Sequence, residues 1–193
     1  MFNKNRLITK TQTMKRIINQ LALFSALAVF LLFTSCKKLK DLTFDYNAAA
    51  VIIDLPAYTT AGNISAQNTV SDNQFKNLLD DKGVSLDNLK SVSVKSMHVE
   101  LIDTAAAPVT FDVLDYLYGE IAASGLPQVQ YASITDPSGT SIDLTTDKSV
   151  NVVEYLKTGN YSYGVMGHNN APINHPTKLK VTAVFEITGS IKK

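Results

Sequence analysis

The chain predicts an all-β fold: a single sandwich of about nine short strands with one short helix. Three observations carry the prediction. Val, Ile, Thr and Tyr alternate with polar residues through most of the chain beyond residue 43, the composition of half-buried strands. Gly, Pro, Asn and Asp break these runs at short intervals, as turns do. Cys36 is the only cysteine, so no internal disulfide braces the domain and its stability must come from a core.

The first segment of note is Met14 to Cys36, MKRIINQLALFSALAVFLLFTSC. Lys15 and Arg16 precede an apolar run from Leu21 to Phe33, shorter than the roughly 18 residues that span a bilayer. Phe33-Thr34-Ser35-Cys36 then resembles the lipobox of bacterial lipoproteins, with Phe33 where that family usually has Leu. The resemblance is specific over Met14 to Cys36 alone. It implies cleavage before Cys36, lipidation of the Cys36 sulfur and attachment to a membrane through the lipid. Lys37, directly after the cysteine, is similar to the outer-membrane sorting pattern of enteric bacteria, so the expected location is the cell envelope at the outer membrane, with the leaflet open. The export pattern is complete from Met14 onward, which makes Met14 an alternative start. The expected plan is a signal peptide over residues 1–35, a lipidated cysteine and polar tether over 36–42, and the sandwich over 43–193.

Strands are expected at Phe44 to Tyr46, Val51 to Leu55, Ile64 to Val70, Ser91 to Ile102, Asp115 to Ala123, Val129 to Ile134, Ser141 to Leu144, Tyr161 to Met166 and Lys178 to Thr188. The last is the clearest: Leu179, Val181, Ala183, Phe185 and Ile187 share one face, and Lys178, Lys180, Thr182, Glu186 and Thr188 take the other. In the run from Ser91, Val92 and Val94 have one parity and Met97, Val99 and Leu101 the opposite one. A strand changes faces only by an extra residue, which predicts a bulge near Lys95-Ser96. Ser71-Asp72 as a cap, Phe75, Leu78 and Leu79 as a stripe, and Gly83 as a stop predict a three-turn helix. Val152, Val153 and Leu156 before Gly159 suit one or two further turns. Asp136-Pro137-Ser138-Gly139 reads as a type I turn between strands. The strand count suits an Ig-like or a jelly-roll-like sandwich equally.

Charge excludes one class of partner. Five of the 18 basic residues and none of the 17 acidic ones precede Cys36, leaving thirteen against seventeen and a net charge of −4 on the exported part. Nucleic-acid binding needs clustered Lys or Arg to displace counterions from phosphates, and this acidic balance gives no such electrostatic footprint. Catalysis finds little support either. No Gly-x-Ser-x-Gly elbow occurs, and the only imidazoles are His98, His168 and His175, of which His98 falls on the polar parity of its strand and should face solvent. No enzyme activity, cofactor or metal is expected.

The candidates for recognition are a loop and a pair of phenols. Gly167 to Pro176 crowds His168, Asn169, Asn170, Asn174 and His175 between two expected strands. It contains no acidic residue and matches no compact metal motif, and its amides suit a hydroxyl-rich ligand such as a glycan. Tyr116 and Tyr118 share a parity with Glu120 and are expected on an outer face, whereas Tyr161 and Tyr163 look core-facing. With no Trp in the chain, the strongest stacking residue for sugars is missing. Asp103-Thr104-Ala105 resembles the three-residue O-glycosylation acceptor of exported proteins in one group of Gram-negative bacteria, with Thr104 as the acceptor. The expectation is a non-catalytic, lipid-anchored envelope protein that contacts a glycan or an envelope protein. The alternatives are a hydrolase using Asp112 or Glu120, a metal hydrolase using His168 and His175, and a structural subunit of an envelope or fimbrial assembly whose edge strand accepts another strand.

Overall fold

The computed structural model describes residues 40–71, 73–102 and 109–191. The signal segment, Cys36, Asp72 as a cap, and Thr104 lie outside the described residues. The strands are β1 (Lys40–Asn47), β2 (Val51–Leu55), β3 (Gly62–Ser71), β4 (Leu89–Ile102), β5 (Leu114–Ala123), β6 (Val129–Thr135), β7 (Ser141–Thr146), β8 (Asn160–Asn169) and β9 (Thr177–Ile191). Two helices, α1 (Asn73–Lys82) and α2 (Val153–Lys157), accompany them. The all-β expectation holds, every expected strand is present, and the second helical stretch at α2 forms one turn. β1 begins at Lys40, so Lys40 to Leu42, expected in the tether, are strand.

β9 sets the frame. Its five alternating apolar residues, Leu179 to Ile187, are each at most 1% exposed, so one full face of a 15-residue strand is core. β1 pairs with its second half and β2 with its first half on one side, and β4 pairs along the other side, all antiparallel. The register of β4 on β9 slips between Val94 and Ser96, placing the bulge at Lys95 as the parity change demanded. A second slip, between Leu89 and Ser91, accompanies the parity change from Leu89 to Val92, both of which are buried.

The nine strands form one hydrogen-bonded sheet in the order β1-β9-β4-β7-β6-β5-β8-β3, with β2 alongside β9, curled into a half-barrel. Two separate facing sheets were expected. The difference lies in β7, which divides its pairing: Ser141 to Leu144 bond to β4, and Thr145 and Thr146 bond to β6. A strand that leaves one neighbour and joins another carries the ladder around a corner. The two ends of the sheet approach without a ladder: Asn68 on β3 donates its side-chain amide to the Ile52 carbonyl of β2 at 3.3 Å.

Both helices cover apolar surface. Phe75 and Leu79 of α1 are buried, with Phe75 against Tyr46 of β1 at 5.4 Å between ring centres. Gly83 ends the helix in the left-handed region at φ 68°, which glycine adopts freely. α2 is tied at its start and at its middle: Asn151 Oδ1 accepts from the backbone N–H groups of Val92 and Val153, and the Tyr155 hydroxyl donates to the Pro127 carbonyl. Asp136, in the β6–β7 turn, also takes a positive φ, 47°, a conformation that Asp tolerates better than most residues.

Candidate functional site

The alternation of β8 runs three residues past where the sequence suggested a loop. Val165, Gly167 and Asn169 point inward, and Met166 and His168 point outward. Gly167 and Asn169 resemble loop residues in composition but sit on the core face of a paired strand. The loop proper is 170–176, pinned by an isolated bridge in which Tyr58 and Ile173 exchange backbone hydrogen bonds of 2.9 and 2.8 Å.

On β5, the neighbour of β8, Tyr116 is directly opposite His168 and Tyr118 directly opposite Met166. These four side chains form a two-by-two block on the outer surface of the sheet. The Tyr116 ring is nearly parallel to that of Tyr118, at 6.1 Å between centres and 12°, and to that of His168, at 6.1 Å and 24°. Tyr116 is among the few large apolar side chains that stand open to solvent, at 37% exposure. The Met166 sulfur accepts from the Tyr118 hydroxyl at 3.7 Å and from the Gln128 side-chain amide at 3.3 Å. Register places Asn63 and Ser65 of β3 beside His168 and Met166, and Thr135 and Ser133 of β6 beside Tyr116 and Tyr118. The block is therefore an aromatic and thioether centre with a rim of uncharged hydroxyl and amide groups, the composition of recognition surfaces.

Asp115 anchors one corner. Its Oδ2 is 2.8 Å from His168 Nδ1, and its Oδ1 accepts from the Asn170 side-chain amide at 2.9 Å. The hydrogen bond from Asn170 and then that from His168 hold the Asp115 carboxyl below the ordinary carboxylate range. A carboxylate only accepts, so His168 Nδ1 carries the proton and Nε2 is left available. At the opposite corner, burial, the Glu120 charge and Tyr116 together push the Tyr118 hydroxyl up, which keeps it a donor.

The structure thus gathers four of the six residues proposed from the sequence, Tyr116, Tyr118, His168 and Asn170. Asn169 is fully buried, and its amide nitrogen donates to the Thr60 and Ala171 carbonyls, so it works inside the domain. His175 is half-buried in the connection to β9. Asp115, expected as the first residue of a strand, is the residue that sequence reasoning missed as part of the site, because its partners lie 53 and 55 residues away. Glu120 was expected on the outer face and is 3% exposed; it lies across β8 and accepts from the Gln67 side-chain amide of β3. Asp112 sits exposed in a 3₁₀ turn before β5. Among the described residues no three His, Cys, Asp or Glu side chains come together as metal ligands.

A groove and a small void lie elsewhere among the described residues. A groove of about 500 Å³ runs past Asp54, Leu55, Pro56, Ile102, Pro176 and Thr177. A void of about 10 Å³ within the core, between Ile64, Leu101, Leu117 and Leu179, is wholly apolar and at the lower limit for a single water. No helix of the described residues is long and apolar enough to cross a membrane. No protein-family model and no curated protein sequence matches this chain, so the reading of its surface rests on geometry alone.

Proposed function

We propose that this chain is a lipid-anchored protein of the cell envelope, held at the outer membrane through Cys36, that acts by contact and not by turnover. Its partner is a glycan or an envelope protein, which meets the block of Tyr116, Tyr118, Met166 and His168. One observation carries the reading: Tyr116 stands exposed in an aligned aromatic cluster whose rim is rich in uncharged hydrogen-bonding groups. Exposed tyrosines held rigidly by neighbours contribute large contact area at small entropic cost. We further infer that β1-β2-β9-β4 and β6-β5-β8-β3 face each other across the core as two layers of a sandwich. Supporting this, the small apolar void is lined from both halves, by Leu101 and Leu179 on one and Ile64 and Leu117 on the other.

The experiment is binding of the full chain to an array of envelope glycans and to extracted envelope proteins, with Tyr116→Ala and Tyr118→Ala alongside. Loss of a tyrosine at the centre of a contact costs about 2 kcal/mol, roughly a thirtyfold weakening. Binding indifferent to both substitutions would remove the block from consideration. Cys36→Ser, followed by fractionation, tests the anchor separately: the variant should leave the membrane fraction.

A further inference from the structure

A second imidazole on the outer surface belongs to a different constellation. His98 of β4 is opposite Asp143 of β7, and Glu100 is opposite Ser141, so an imidazole faces a carboxylate and a hydroxyl two residues apart on the next strand. His98 Nδ1 is 2.7 Å from Asp143 Oδ1, and His98 Nε2 is 3.1 Å from Ser141 Oγ. The carboxylate can only accept, which puts the ring proton on Nδ1 and leaves Nε2 to receive the Ser141 hydroxyl proton. This is the connectivity of a nucleophile, its base and a group that orients the base. The side chains of His98 and Asp143 are 42% and 85% exposed, so a reagent reaches them without any opening of the core.

We propose that Ser141 is an acyl-accepting serine, activated by His98 and oriented through Asp143, that reacts with activated esters and organophosphorus groups. In the acylation step Ser141 Oγ attacks the carbonyl carbon of an aryl ester while its proton passes to His98 Nε2. The carbon–oxygen bond to the aryloxide then breaks, and the leaving group takes that proton as a phenol. The products are acyl-Ser141, the phenol and a neutral His98; with a fluorophosphonate the same attack at phosphorus breaks the phosphorus–fluorine bond and releases hydrogen fluoride, leaving phosphonyl-Ser141 and a neutral His98. Ser141 is itself exposed, like the His98 and Asp143 side chains beside it. The site supplies a base but no enclosing pocket, so the reaction is modification of one serine and not rapid turnover.

The test is labelling of the full chain with p-nitrophenyl acetate and, separately, with a fluorophosphonate, each mapped by peptide mass spectrometry. Ser65 and Ser133, exposed on the outer surface of the same sheet, are internal references. Ser141 should be labelled about a hundredfold faster than either reference, the modest end of general-base assistance. His98→Gln should bring Ser141 down to the reference rate. Asp143→Asn, at an exposed position outside the core, should slow labelling while the circular dichroism spectrum stays unchanged. Labelling of Ser141 no faster than that of Ser133, or a rate unmoved by both His98→Gln and Asp143→Asn, would overturn the assignment.

Discussion

Gln67 on β3 and Glu120 on β5 meet side chain to side chain over Gly164, which occupies the strand between them. The missing side chain at Gly164 is what lets the Glu120 carboxylate reach across a whole strand. A Cβ there would press on the Ala66 carbonyl oxygen and lie 2.7 Å from Gln67 Cα, both backbone atoms of β3 that cannot swing aside. Gly164→Val should therefore lower stability by about 2 kcal/mol, as overpacking does. Gly62→Ala, at a glycine with open space around it, should change stability far less. Urea unfolding midpoints of the two variants check the contrast.

Acid should weaken the fold through a specific set of carboxylates. Asp115 is held low by Asn170 and His168, Asp41 by Lys90 and Ser190, and Asp147 by the Ser149 hydroxyl and backbone N–H. A carboxyl whose folded value lies below its unfolded value, about 3.9, contributes stability that is complete above that value and fades as pH falls through the folded one. Thermal midpoints should fall modestly as pH drops from about 5 towards about 2, since these carboxylates stand open to solvent. Asp115→Asn should flatten part of that fall, and an unchanged acid slope would deny Asp115 its role.

The buried tyrosines should respond in opposite directions to loss of their hydroxyls. Tyr163 donates to the Ala49 carbonyl at 2.7 Å, and Tyr163→Phe should cost about 1 kcal/mol. The Tyr131 hydroxyl is buried with no hydrogen-bond partner among the described residues, and burial holds it protonated. Tyr131→Phe removes an unpaired polar atom from the core and should be neutral or stabilising by up to about 1 kcal/mol. Calorimetric midpoints of the two single variants decide this directly.

Deleting Lys95 should be tolerated where deleting an ordinary strand residue is not. Without Lys95, Val92, Val94, Met97, Val99 and Leu101 fall on one uninterrupted parity and all still face the core. The cost is the bulge's twist, the Lys95–Asp45 ion pair at 2.6 Å and the hydrogen bond from Thr146 to the Lys95 carbonyl. The Lys95 deletion should unfold cooperatively at a reduced temperature. Deleting Ser93, which lies between two core residues, should abolish cooperative unfolding.

Local pattern alone determined the number and place of the strands, the bulge in β4, the cap of α1 at Gly83 and the inward faces of Tyr161 and Tyr163. These follow from side-chain alternation and backbone preference, which act within a few residues and leave a trace in the text. Which strand pairs with which left no such trace, because backbone ladders use the same N–H and C=O groups whatever the residue. Only the tertiary structure turned β7 into the corner of one continuous sheet, and only its registers set Tyr116 beside His168 and His98 between Asp143 and Ser141. The burial of Glu120 was likewise beyond any local rule, since it depends on a glycine 44 residues later in the chain, Gly164, lying directly opposite. Contacts across strands are products of register, and register is a property of the assembled sheet.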